Sequence, residues 1–214
     1  MKLSRRVGGC VAVLCGLGLL GAGCEDRGDS KYGDGHDFGS NDRNLYVCIG
    51  DSITSGVGGV TPYPSNLGAM LGKPVINQGR AGERVFDGAA RTPGTLDQYK
   101  PGHLLILHGI NDVLDGHSSD FIISQLRSMI LSAKARKVLP AISTLTPLFG
   151  EREVVNGAVY ALNDQIRSLA SQEGVLLVDN ERVVRGRPDY VIEDGLHLSE
   201  AGSTAVAAAW ADRL

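Results

Sequence analysis

The stretch Gly50-Asp51-Ser52-Ile53-Thr54-Ser55-Gly56 comes directly after Leu45-Tyr46-Val47-Cys48-Ile49, a short apolar run of β-prone residues. Such a run, closed by a glycine turn, reads as a buried strand, and the pattern beyond Gly56 turns helical. A serine delivered by a strand end into a glycine-flanked turn has its hydroxyl lifted clear of the sheet, with neighbouring amides free to face a substrate. One G-D-S triplet proves little, because loops are rich in these residues. Three later blocks, in order, give it weight: Gly82, then Asn111 within Gly109-Ile110-Asn111-Asp112, then Asp194-Gly195-Leu196-His197.

Outward from that stretch, strand and helix patterns alternate. Thr61-Pro62 reads as a helix start with threonine as N-cap, and Gly72 stops that helix after Leu71. Val75-Ile76-Asn77, His103 to Leu107, Val138 to Leu145 and Val175 to Val178 read as further strands. A loose helical stretch ends at Ala90. Ser118-Ser119-Asp120 caps an amphipathic helix with Ile122, Leu126, Met129, Ile130 and Ala133 on one face, and another helix spans about Glu153 to Gln172. The last helix begins near Ser199. This alternation predicts an α/β fold, a parallel sheet of about five strands covered on both faces as a three-layer α/β/α sandwich. Ser52, Gly82 and Asn111 each come after a predicted strand, so all three belong at the carboxyl edge of the sheet.

The chain has 214 residues, 43% of them apolar, which is room for one full-sized core. Its net charge of −3 and lack of any basic run offer no footing for nucleic acid. Cys10, Cys15 and Cys24 all lie in the leader. Only Cys48 is left in the body, as a small buried hydrophobe, so no intramolecular disulfide or cysteine metal site is expected. Residues 1–23 have a signal-peptide layout: Lys2, Arg5 and Arg6, then the apolar run Val7 to Leu20, then small residues. That run is too short and glycine-rich for a permanent span. Leu20-Gly21-Ala22-Gly23-Cys24 resembles the bacterial lipobox, which implies cleavage before Cys24 and its lipidation. The expectation is an exported bacterial protein anchored to a membrane as a lipoprotein, or periplasmic or secreted if the signal is an ordinary one. Residues 24–44, rich in Asp, Gly and Ser, read as a flexible tether, and residues 45–214 as one catalytic domain, a monomer.

Hydrolysis of an ester needs a nucleophile, a base, something to hold the base, and donors for the oxyanion. Ser52 is the candidate nucleophile and His197 the base. Asp194, three residues upstream, is about one turn of chain away and can fix the imidazole tautomer. A lone D-x-x-H is common in surface turns and gains meaning only beside Ser52. The oxyanion donors are expected to be the amides of Ser52 and Gly82 and the side chain of Asn111. Glycine suits its role because a backbone without Cβ can approach the substrate. Asp51 and Asp112 read as loop-shaping acceptors. No metal or cofactor is expected.

These blocks resemble those of the SGNH hydrolases, also called GDSL esterases and lipases, whose Ser, Gly, Asn and His correspond to Ser52, Gly82, Asn111 and His197. That the glycine is Gly82 and not Gly79 is implied by this resemblance, through the spacing from Asn77 and the adjacent Glu83. The resemblance covers nearly all of the chain from Leu45 onward. Val75-Ile76-Asn77 and Asp194-Gly195-Leu196-His197-Leu198-Ser199 are similar to the bacterial lysophospholipase and thioesterase branch. It implies a flavodoxin-like fold of five parallel strands and a serine esterase working through an acyl-enzyme intermediate. The substrate class it implies is that of a lysophospholipase, an arylesterase or a carbohydrate deacetylase. The rival readings are weaker. His103, His108 and His117 could suggest a metal, but there is no H-E-x-x-H helix, and Gly56-Val57-Gly58-Gly59 lacks both G-x-G-x-x-G spacing and a Walker lysine. A tethered, non-catalytic binding domain on the same fold is the alternative of a different kind. The polar loop Asp115 to Ser119 tilts the expectation toward short acyl groups, such as acetyl esters on carbohydrate. Leu148-Phe149 pulls toward longer lipid chains.

Overall fold

Five apolar stretches pair side by side and all run the same way: β1 (Asp42–Gly50), β2 (Val75–Gly79), β3 (Pro101–Leu107), β4 (Leu139–Ser143) and β5 (Leu176–Val178). The structure, a computed structural model, describes residues 32–214. The sheet order is β2-β1-β3-β4-β5. The direction of winding across the sheet therefore reverses between β1 and β3, and an open parallel sheet forms its crevice at such a switch point. In register, Gly50 lies opposite Gly79 on one side and Leu107 on the other, so three strands end level with one another.

The helices are α1 (Ser52–Ser55), α2 (Tyr63–Leu71), α3 (Val85–Tyr99), α4 (Ile110–Leu114), α5 (Ser119–Ala135), α6 (Asn156–Glu173), α7 (Asn180–Val184) and α8 (Glu200–Ala211). In one layer α2 packs on α8; in the other α5 packs on α3 and α6. A crossover that doubles back from β1 to β2 puts α2 on the opposite face from α3, α5 and α6. Val47, Cys48, Ile49 and Leu104 to Leu107 are sealed between the layers, as expected of parallel strands covered on both faces. Cys48 is a buried free thiol, held far above its ordinary pKa by burial.

Several element bounds differ from the sequence expectation, each for a tertiary reason. The helix expected from Thr61-Pro62, α2, starts at Tyr63 with Pro62 as its cap rather than Thr61. Thr61 is engaged elsewhere: its amide donates to Glu200 Oε2 at 2.9 Å and its carbonyl accepts from Ser203 Oγ. β4 stops at Ser143, two residues short of Leu145. There Asn163 closes both sides of the backbone, accepting from Leu145 N at 2.8 Å and donating to Leu145 O at 2.9 Å. α3 runs through Pro93 to Tyr99, far past Ala90, because Thr92, Thr95 and Leu96 are buried against the body.

The tether expected over 24–44 is corrected in its second half. Tyr32 Oη donates to Pro140 O at 2.5 Å and accepts from Leu176 N at 3.3 Å. Phe38 packs against His103, and Asn41 Nδ2 donates to Arg136 O at 2.7 Å. His36 Nε2 is 3.1 Å from Lys137 O. Two aromatic side chains and a set of carbonyl acceptors hold this segment to the amino edge of the sheet. The signal-peptide reading of residues 1–23 and the lipidation reading of Cys24 lie outside the described residues.

Candidate active site

The turn after β1 begins with Asp51, whose buried Oδ1 accepts from Ile53 N at 3.0 Å and caps α1. The cap fixes the backbone around Ser52, which is itself only 5% exposed. Across the crevice, the loop before α8 is held as a tight unit. Val191 bridges Leu198, Ile192 N donates to His197 O at 2.8 Å, and Gly195 N donates to Ile192 O at 3.0 Å. Its outer side is clamped by the segment after β4, with Phe149 N donating to Gly195 O at 2.8 Å and Arg152 Nε to Asp194 O at 2.9 Å. Gly195 adopts φ +69°, and a Cβ there would stand 2.1 Å from Phe149 O, so the close approach requires glycine.

This loop brings its two titratable residues into line with the serine. His197 Nε2 lies 2.8 Å from Ser52 Oγ, and His197 Nδ1 lies 2.5 Å from Asp194 Oδ2. A carboxylate can only accept, so Nδ1 carries the proton and Nε2 is left to accept from the serine hydroxyl. Asp194 Oδ1 accepts from the amides of Leu196 at 2.9 Å and His197 at 3.0 Å. Partial burial alone would raise its pKa, but the hydrogen bonds from the His197 ring and these two amides outweigh that and lower it. The carboxylate stays charged behind the ring.

The two other expected positions frame the opposite side. Gly82 sits at φ +74° in a turn whose ends are joined by Glu83 N donating to Arg80 O at 3.1 Å. Gly79 is excluded as the free donor, since its amide already donates to Asn77 Oδ1 at 2.8 Å within β2. Asn111 opens α4, and its Nδ2 donates to Glu83 O at 2.9 Å, next to Gly82. An amide nitrogen has two hydrogens, so one orients the side chain and the second remains for a ligand. Asp112 is fully buried and accepts from Val85 N at 2.8 Å, holding the start of α3. Asp51 and Asp112 thus shape loops, in keeping with their positions in the sequence.

The three histidines of the metal reading do not converge. His103 stacks on Tyr46 at the amino end of β3, with ring centroids 4.2 Å apart. His108 leaves the carboxyl end, and His117 lies 3.2 Å from Asp112 Oδ1. Motifs in the sequence do not point to a second buried set: Glu83, Arg91 and His108. Glu83 takes hydrogen bonds from Arg91 Nε at 2.7 Å, Arg91 Nη2 at 2.5 Å and His108 Nε2 at 3.2 Å. The one local signal for it is a histidine directly after the apolar run Leu104 to Leu107.

Comparison with known proteins agrees with this architecture. The profile of the GDSL-like Lipase/Acylhydrolase family matches residues 48–205. The chain is 34% identical over 165 residues to an arylesterase of Vibrio mimicus, spanning 71% of this chain and 78% of that protein. It is 27% identical over 209 residues to an acetylxylan esterase of Geobacillus stearothermophilus, spanning 81% and 94%. Among solved structures, a G-D-S-L family protein of Desulfitobacterium hafniense described as a putative lipolytic protein superposes with TM-score 0.72 at 20% identity. That match covers 80% of this chain and all of the other, a likeness that speaks for the fold. The family profile spans the sheet, the serine turn and the histidine loop together, and the chain belongs to the GDSL-like lipase/acylhydrolase family as a serine ester hydrolase.

Proposed function

We propose that Ser52 is the nucleophile, His197 the general base and acid, and Asp194 the residue that orients His197. His197 Nε2 takes the Ser52 proton as Oγ attacks the ester carbonyl, and the tetrahedral oxyanion is received by the Ser52 and Gly82 amides and Asn111. His197 then hands the proton to the departing alcohol. Water repeats the cycle on the acyl-enzyme and releases the acid. The observation that carries this reading is the unbroken line Asp194–His197–Ser52, with contacts of 2.5 and 2.8 Å.

For the substrate we propose a short acyl ester, acetyl above all, on a polar alcohol such as a sugar. The cleft that touches both Ser52 and His197, lined also by Val57, Val60, Pro62 and Leu198, is a narrow opening with a volume of about 10 Å³. That is about the space of one water, which favours a methyl group over a long acyl chain beside the nucleophile. Beyond Asp194 lies a wider cleft of about 470 Å³ lined by Phe149, Glu151, Arg152 and Glu193, whose polar side chains suit an alcohol rich in hydroxyls. The relative from Geobacillus stearothermophilus is an acetylxylan esterase, whose substrate is of this class. Hydrolysis of p-nitrophenyl esters from acetate to palmitate, by the chain from Glu25 onward and by its Ser52→Ala variant, tests both parts. The expected result is highest kcat/KM on acetate and none above background for Ser52→Ala. An optimum at ten or more carbons overturns the short-acyl reading, and equal rates for the two proteins overturn the role of Ser52.

Lipidation of Cys24 and membrane anchoring, with the domain acting as a monomer, complete the proposal. Tyr32 is bound at the amino edge of the sheet and Ser52 sits at the carboxyl edge. An anchor at Cys24 would therefore leave the crevice facing away from the membrane. Radiolabelled palmitate incorporated by the whole chain and lost in Cys24→Ala is the expected outcome; labelling that survives the substitution overturns it.

A further inference from the structure

We propose that Glu83 and His108, with Arg91 and Asp51, form one buried cluster that holds the three oxyanion donors in register, so that Glu83 and His108 are positioning residues for hydrolysis. The inference rests on the donor roles proposed for Ser52, Gly82 and Asn111. Each donor is one covalent or one hydrogen-bonded step from the cluster. Asp51 precedes Ser52 and caps its helix; Gly82 precedes Glu83; Asn111 Nδ2 donates to Glu83 O at 2.9 Å.

The cluster is anchored to the sheet from two sides. Arg91 Nη2 donates to Gln78 O in β2 at 2.7 Å as well as to Glu83. The His108 side chain is wholly buried. Its Nε2 meets Glu83, and its Nδ1 faces Asp51 Oδ2 at 4.0 Å; neither of those two atoms has a hydrogen-bond partner among the described residues. One imidazole thus stands between the carboxylate next after Gly82 and the carboxylate just before Ser52. Burial opposes the charge on Glu83, and the hydrogen bonds from His108 and Arg91 overcome it.

Stability alone accounts poorly for such a group, because well-packed apolar residues often replace buried ion pairs at no loss. Geometry accounts for it better. The donors come from three separate turns, and an oxyanion hole has to be held to within about 0.5 Å. A displacement of about 1 Å at a reacting centre can cost 10²-fold in rate. A single rigid cluster beneath all three turns meets that demand.

The test is a double-mutant cycle on p-nitrophenyl acetate at pH 8 with His108→Phe, which fills the ring's space but removes its hydrogen bonds. Glu83→Asp, which keeps the charge and shortens its reach, runs beside it in case His108→Phe does not fold. The expected result is a fall in kcat of about 10–100-fold with KM within threefold. In an Asn111→Ala background the same substitution should cost at least threefold less than it does in wild type, because one of the three donors it positions is already gone. A folded variant with unchanged kcat, or a loss that multiplies fully with Asn111→Ala, overturns the proposal. Failure of both variants to fold assigns the cluster to stability and overturns it too. The failure of the underlying reading is separate: there, the wild-type chain itself shows no esterase activity.

Discussion

An isolated serine hydroxyl is too weak an acid to attack an ester, so everything at the scale of single residues turns on what lies beside Ser52. Asp194→Asn would keep the shape of the loop but allow the ring to bond in the wrong tautomer. Its kcat should fall by about 10³–10⁴-fold with little change in Tm, read by steady-state kinetics and thermal unfolding. Asn111→Ala removes one oxyanion donor and should cost about 10²–10³ in kcat with KM nearly constant. Glu83 gives a different handle, through pH. Its folded pKa is lowered from 4.5 to about 2 by His108 and Arg91. The stability it contributes is therefore complete above about pH 4.5 and is lost as pH falls from there toward 2. Urea unfolding at pH 7, 4 and 2.5 should show wild type losing more stability over that range than Glu83→Gln; parallel losses would contradict it. Ser52, Asp194 and His197 are legible in the sequence because each sits in a short motif. Arg91 and His108 are not, because their partner Glu83 is eight residues away along a helix in one case and across the sheet in the other.

At the scale of elements, function depends on loops held by their neighbours rather than by their own propensity. The Asp194–His197 loop is pinned by Phe149 N and Arg152 Nε from the segment after β4. Gly195→Ala would drive a Cβ into Phe149 O at 2.1 Å in a left-handed conformation. It is expected to lower kcat by at least about 10²-fold while circular dichroism of the sheet and helices stays native. Wild-type turnover in that variant would show that the loop can relax without moving His197. The helix α5, with its Ser118 cap and buried Ile122, Leu126, Met129 and Ile130, is readable from periodicity and capping alone. α3 is not, because Arg91-Thr92-Pro93-Gly94 carries two breakers. Packing against α5 overrides them, and with α3 in place Arg91 reaches Glu83.

Over the whole molecule, the sheet separates two ends with different tasks. The amino edge receives Tyr32, Phe38 and Asn41, while the carboxyl edge carries the crevice. A chain beginning at Arg43 should therefore unfold at lower denaturant than one beginning at Tyr32, by about 2–4 kcal/mol for the lost aromatic packing and bonds. Both should turn over p-nitrophenyl acetate equally when folded. Equal unfolding midpoints would show that the segment adds nothing. The sequence by itself determined the alternation of strand and helix, the parallel sheet, the order of Ser52, Gly82, Asn111 and His197, and their place at one edge, since periodicity, caps and short motifs are local properties. Packing in three dimensions settled where residues 32–41 lie, how far α3 extends, and that Glu83 and Arg91 meet His108. Those outcomes depend on contacts between residues far apart in the chain. Burial, which makes a charged group keep whatever partner the fold brings to it, is not written in local pattern.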